Sequence, residues 1–296
     1  MAENEAQTLP QSGEPGTIAV DVGERKHGTY QPDQSGVTPK LRVSNLSVTY
    51  IDRKGNRTEA VRDVSFDILD KPDSGEIVVF LGPSGCGKST ILKAVAGLLP
   101  PTKGEVLVDG ELVTGVGRDR GMVFQAYTSF GWLTGRENVE YGLRLKGTPK
   151  SERRKISDEI LKEVGLADFA NRYPKDLSGG MKQRVAIART LVNKPRVVLM
   201  DEPFGALDPQ TRWGMQSLLL EISRAENNTI LFVTHDVSEA VYLADTIYVL
   251  SARPAQILHQ VNVPAFPVRD IALKSAAEFR AVEKKLLDLI YAPTKS

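Results

Sequence analysis

The stretch Ile77-Val78-Val79-Phe80-Leu81-Gly82-Pro83-Ser84-Gly85-Cys86-Gly87-Lys88-Ser89-Thr90 decides the fold. Five apolar residues in an unbroken run, closed by glycine, are the pattern of a parallel strand buried on both faces. A glycine-rich turn follows, and from Thr90 to about residue 99 apolar residues recur at helical spacing. Strand, loop and helix in this order make an anion cradle. The glycines let backbone amides turn inward around phosphate oxygens, and the helix N-terminus adds its positive dipole end. Gly82, Gly87, Lys88 and Ser89 fill the G-x-x-x-x-G-K-[ST] pattern of a phosphate loop. Lys88 is expected to reach the β and γ phosphates of a nucleotide. Ser89 is expected to offer its hydroxyl to Mg2+, which prefers oxygen ligands and keeps several of its waters. Cys86 lies inside the loop at a helix N-terminus, a setting that can lower a thiol's pKa, so nucleotide is expected to shield it from alkylation.

Downstream, Val197-Val198-Leu199-Met200 is a second apolar run, and it delivers two adjacent carboxylates, Asp201 and Glu202. Asp201 is expected to hold the magnesium, directly or through water, and Glu202 to orient or deprotonate an attacking water. Residues 230–234 read as a third buried strand, so the core is α/β. Upstream, 41–50 and 61–69 alternate like strands around the polar turn 52–58, which predicts an antiparallel flank. Between about 134 and 193 strand signals stop, and helical periodicity runs over 136–145, 151–164 and 180–192. A helical subdomain of about 126–193 is therefore inserted in a domain spanning 40–252. The extension 253–296 carries a short run at 256–259, then Pro264 and Pro267, then Phe279, Val282, Leu286 and Leu289 at the spacing of one helix packed back on the core. Residues 1–39, rich in Gln, Glu, Gly, Pro and Thr, read as a flexible tail.

The whole chain has 296 residues, 38 of them basic and 37 acidic, for a net charge of +1. That balance excludes bulk electrostatic attraction to nucleic acid or to an anionic membrane. A single cysteine cannot form an internal disulfide, and no signal peptide opens the chain, which together point to a reducing compartment. The longest apolar runs fall far short of the roughly 20 residues that span a bilayer.

Leu177-Ser178-Gly179-Gly180-Met181-Lys182-Gln183-Arg184 opens a helix with a serine and paired glycines, a second anion-binding terminus in the same chain. With this segment the sequence resembles the ATP-binding cassette ATPases over about residues 41–251. Their signature reads LSGGQ, and Met181 stands here at its variable last position. The resemblance implies a P-loop NTPase (RecA-like) core, ATP and Mg2+ as ligands, and two cassettes facing head to tail. In that pairing Ser178, Gly179 and Gly180 of one cassette close on the γ phosphate held by the other. It further implies that Gln125 senses magnesium and the attacking water, that His235 contacts the γ phosphate, that Asp208 links the paired sites, and that Tyr50 stacks on adenine. Gly205 replaces the family's usual serine beside Asp208.

Several uses of the hydrolysis energy compete. A chromosome or repair ATPase needs a long coiled coil between loop and signature, and residues 90–177 hold no heptad repeat. A translation factor needs two tandem cassettes, and there is one signature. A P-loop kinase or GTPase leaves 177–184 unexplained. The motor subunit of a membrane transporter survives. The aromatics Tyr127, Phe130 and Trp132 beside Gln125, together with Arg253-Pro254-Ala255-Gln256-Ile257, resemble the cassettes of nitrate, sulfonate and taurine importers, with Gly131 where proline is usual. The implied partners are a second cassette, transmembrane permease subunits and a substrate-binding protein, at the cytoplasmic face of the membrane. An exporter, or an importer of another substrate, is the alternative.

Overall fold

The run 76–81 is buried along its whole length, and its side chains alternate between two separate cores. This computed structural model describes residues 21–24, 38–70, 75–226, 228–266 and 268–291. The strands are β1 (Asp21–Glu24), β2 (Leu41–Ile51), β3 (Arg57–Ile68), β4 (Glu76–Leu81), β5 (Lys103–Val108), β6 (Glu111–Leu112), β7 (Arg120–Val123), β8 (Val197–Asp201), β9 (Thr229–Thr234), β10 (Thr246–Leu250) and β11 (Ile257–Asn262). The helices are α1 (Lys88–Val95), α2 (Gly135–Leu145), α3 (Lys150–Glu163), α4 (Gly179–Leu191), α5 (Pro209–Glu226), α6 (Val237–Leu243) and α7 (Ala277–Tyr291).

The larger sheet runs β1-β11-β10-β4-β9-β8-β7, with β10, β4, β9, β8 and β7 parallel. The smaller sheet, β3-β2-β5-β6, is antiparallel throughout. Val78 and Phe80 of β4 face α1 and the small sheet, where Leu41, Phe66, Ile91 and Leu92 are fully buried. Ile77, Val79 and Leu81 face α5 and α6. Two-sided burial explains the continuous apolar run, because each large aliphatic or aromatic side chain removed from water contributes about 1.5–3 kcal/mol. It also pins the end of β4, and the loop after it, to the centre of the molecule.

Two helices of 135–191, α2 and α4, owe their starts to side-chain caps. Thr134 and Glu137 form a reciprocal capping box at α2, and the Ser178 hydroxyl accepts the Met181 N–H at α4. Fully buried Asn138 ties this lobe to the preceding loop. Its amide donates to Phe130 O, Leu133 O and Thr134 O, and its carbonyl accepts the Phe130 N–H at 2.7 Å.

Two sequence boundaries dissolve in the fold. Residues 21–24, read as part of a flexible tail, form β1 and pair antiparallel with β11 from Asp21↔Asn262 to Glu24↔His259. Backbone pairing at a sheet edge, with Val22 packed on the core, orders a segment whose composition carries little apolar drive. Residues 1–20 and 25–37 of that expected tail lie outside the described residues. The division at 252 cuts through a continuous sheet, since β11 pairs with β10. Beyond β11, Phe279, Val282 and Leu286 of α7 are fully buried, and a single-turn 3-10 segment at Ile271–Ser275 precedes the helix.

Candidate active site

The phosphate loop hangs between the end of β4 and the start of α1. Gly85 has φ +73° and Gly87 φ +130°, values open to glycine. A side chain at Gly87 has no room either, since its Cβ would stand 2.4 Å from Ala60 O. Gly87 caps α1 without a side-chain acceptor; only its carbonyl serves, accepting the Thr90 and Ile91 N–H groups at 3.0 and 3.1 Å. Lys88, nearly fully buried, donates from Nζ to Gly82 O at 2.8 Å and Pro83 O at 2.9 Å, and lies 3.8 Å from Glu202 Oε1. A buried ammonium resting on backbone carbonyls is poised for a stronger anionic acceptor. Pro83, Ser84 and Gly85 are exposed. Thr90 Oγ1 lies 3.2 Å from the hydroxyl of Tyr50, whose ring is 41% exposed beside the loop.

Cys86 departs from expectation. It is buried, and burial pushes its thiol pKa up, outweighing the opposing pull of Lys88 and of backbone hydrogen bonds. Its chain position at a helix start does not decide its reactivity, because desolvation of the thiolate wins.

Ser89 Oγ donates to Asp201 Oδ1 at 2.6 Å. Burial raises the Asp201 carboxyl pKa, the Ser89 bond lowers it, and neighbouring Glu202 raises it. A carboxylate carrying that desolvation cost beside a hydroxyl is a hard oxygen pair that fits Mg2+ and leaves the remaining positions to waters and phosphate oxygens. Glu202 has φ +42°, a strained value for a residue with a Cβ, and its N–H donates to Val233 O at 3.1 Å. That turn swings its carboxylate until Oε2 lies 3.1 Å from His235 Nδ1, so the two residues form one dyad at the ends of β8 and β9.

Gln125 is exposed two residues beyond β7, and the register Val123↔Met200 puts it at the same sheet edge as Glu202. Asp208 does not join the loop; Oδ1 accepts the Thr211 N–H at 3.0 Å, and side-chain and backbone hydrogen bonds from Thr211 hold its carboxyl below the usual range. Ser178, Gly179 and Gly180 stay apart as well. Among the described residues no hydrogen bond joins them to 82–90. A Cβ on Gly179 would meet Tyr127 Oη at 2.6 Å, and one on Gly180 Thr211 Cγ2 at 2.4 Å, so the paired glycines are packed against the Tyr127 loop and the first turn of α5.

Sequence reasoning missed Arg189. It donates to Thr128 O at 2.8 Å and Thr128 Oγ1 at 2.7 Å, stands over the Phe130 ring, and ties the loop after Gln125 to the signature helix α4. Burial pulls its pKa down. One arginine on a helix gives no local signal of such a partner.

A lysine kept buried under an exposed glycine loop, with a magnesium-type oxygen pair and a carboxylate–histidine dyad beside it, makes the class a P-loop nucleoside triphosphatase. Residues 61–205 match the family model described as ABC transporter. An uncharacterized ABC transporter ATP-binding protein of Methanocaldococcus jannaschii is 48% identical over 85% of this chain and 91% of its own length. A nitrate import ATP-binding protein of Synechocystis is 48% identical over 75% of this chain and 82% of its own. A taurine import ATP-binding protein of Roseobacter denitrificans is 43% identical over 85% and 94%. A dimeric ATP-binding cassette solved in a post-hydrolysis state with ADP and Pi matches with a TM-score of 0.67 at 34% identity, covering 76% of this chain and 100% of that one. The chain belongs to the ABC transporter family. It is an ATP-binding subunit and an ATP hydrolase.

Proposed function

We propose that the chain energises an importer of a small anion, such as nitrate, a sulfonate or taurine, across the cytoplasmic membrane. The observation that carries this reading is the likeness to nitrate and taurine import ATP-binding proteins, at 48% and 43% identity. Two cassettes face head to tail, and Ser178, Gly179 and Gly180 of each close on the γ phosphate that Lys88 of the other holds. The exposed Ser178 at the start of α4, with no hydrogen bond to 82–90 among the described residues, supports that pairing. Tyr50 stacks on adenine, the 82–90 amides hold the phosphates, and Asp208 links the paired sites. Ser89 and Asp201, with Gln125 nearby, hold Mg2+, which neutralises phosphate charge when bound. Glu202 takes the proton of the attacking water while His235 holds the carboxylate in place and contacts the γ phosphate.

The permease docks on the helical lobe. Phe130 packs 4.7 Å from Tyr141 and 5.4 Å from Trp132, which is 73% exposed, beside a groove of about 310 Å³ lined by Phe130, Tyr141 and Arg189. Half-buried aromatics lining a groove, with an exposed indole beside it, suit a helix from a membrane subunit. No described helix is long and apolar enough to cross a membrane, which fits a peripheral place at the inner membrane's cytoplasmic face. A substrate-binding protein completes the complex, and no nucleic acid takes part.

Removing the gene and following uptake of labelled nitrate, taurine and an alkanesulfonate tests this. Loss of uptake of one anion, restored by the wild-type chain and not by Glu202→Gln, is the expected result. Undiminished uptake of all three sinks the anion reading, and outward, substrate-stimulated transport by the reconstituted complex sinks import.

A further inference from the structure

The turn after β10 touches the phosphate loop at a point that the nucleotide reading leaves unused. Arg253 Nε and Nη2 donate to Gly85 O at 3.1 Å and 2.8 Å, across 168 residues of chain. The base of this arginine is fixed. Ala255, fully buried, donates its N–H to Ala60 O at 2.9 Å and accepts the Arg62 N–H at 3.0 Å, which pins the turn to β3. Ser251 Oγ accepts the Gln256 N–H at 3.0 Å and closes the turn on itself. The turn then follows the loop along its length. A Cβ at Gly82 would stand 3.1 Å from Leu250 Cβ, and one at Gly87 3.0 Å from Ala255 Cβ.

We propose that Arg253 is a positioning residue for the phosphate loop, holding the Gly85 carbonyl outward so that the loop stands shaped for nucleotide before nucleotide arrives. A peptide unit is planar, so fixing Gly85 O on the outside fixes the Cys86 N–H on the opposite side, where it donates to Pro83 O at 3.3 Å and keeps the loop turned. Gly85, at φ +73°, has the widest backbone choice in the exposed part of the loop and the most to lose on ordering. A guanidinium that spends two of its five N–H groups on that one oxygen removes this freedom in advance. It also offsets the partial negative charge of a carbonyl close to a polyanionic ligand. Pre-ordering lowers the cost of binding, and it favours bound substrate and transition state equally. Affinity should therefore respond to Arg253 and the chemical step should not. This inference rests on ATP hydrolysis by the chain and is independent of what the importer carries.

The test uses the purified full chain, with ATP hydrolysis followed against ATP concentration and binding of a fluorescent ADP followed by titration. Arg253→Ala is expected to raise KM for ATP and Kd for ADP about tenfold, the scale of a charge-assisted hydrogen bond, with kcat within about twofold. Arg253→Lys keeps the charge and one donor and is expected to recover part of the loss, to about threefold from wild type. Both thermal midpoints should stay within about 2 °C, because Arg253 is exposed. Unchanged KM and Kd in both variants overturn the proposal. So does a fall in kcat at constant KM, or an affinity loss equal in both variants and matched by lost thermal stability.

Discussion

Two helix N-termini in this chain are the ones we propose to meet phosphate, and they are built differently. At α1 the cap is Gly87, which has no side chain to satisfy the first amides, and the surrounding charges are buried: Lys88 on two carbonyls, Ser89 on Asp201. At α4 the cap is Ser178, which spends its hydroxyl on its own Met181 N–H and sits at the surface. A terminus with no side-chain cap, set beside a buried ammonium, holds a ligand by itself, because its donors and counter-charges are already in place. A self-capped, exposed terminus offers a dipole and little else until a second surface covers it. On the proposed reading, the first is half a site awaiting closure, and the second is the half that closes.

That contrast can be broken by experiment. Glu202 lies beside the α1 half and is the proposed base, so Glu202→Gln should lower ATP turnover by about 10²–10⁴-fold while an ATP-bound dimer accumulates on size-exclusion chromatography. Undiminished turnover would remove Glu202 from the role. Ser178→Ala acts on the other half: it should cut turnover about tenfold or more yet leave nucleotide affinity of the separated chain within about twofold, besides costing about 1 kcal/mol of helix capping. A parallel fall in that affinity would show the two termini working within one chain and would end the contrast.

The smallest effect is on stability. Burial holds the Asp201 carboxyl above its ordinary value of 3.8. A group raised on folding contributes stability that is full below its unfolded pKa and is lost as pH rises through the folded one. In chelator, Asp201→Asn should therefore gain on wild type as pH rises from about 4 toward 8, by a few degrees in thermal midpoint at the upper end, read by scanning calorimetry. A gain that does not grow with pH would show that Asp201 carries no such burial cost.

Much of the α1 half was legible from residues alone. Glycine spacing, an apolar run and a lysine–serine pair are local, and the backbone geometry they impose is local too. The helical lobe was legible for the same reason, through helical periodicity over 136–145, 151–164 and 180–192 and Ser178 at a helix start. The direction of the Cys86 thiol pKa was not legible, because burial is not a local property. The strand at Asp21–Glu24 escaped because its order comes from β11, with its first partner Asn262 on the far side of the chain.

The sequence by itself determined the chemistry available: a phosphate loop, a pair of acids after a strand, a second glycine-bearing helix start, each set by neighbours within a few residues. Only the tertiary structure decided which of these meet. It brought Ser89 to Asp201 across 112 residues, Glu202 to His235 across 33, and Arg253 to Gly85 across 168. It left Ser178 and Asp208 facing outward. The physical reason is that backbone conformation and capping follow from adjacent residues, whereas desolvation, charge pairing and the reach of an arginine depend on which strands lie side by side.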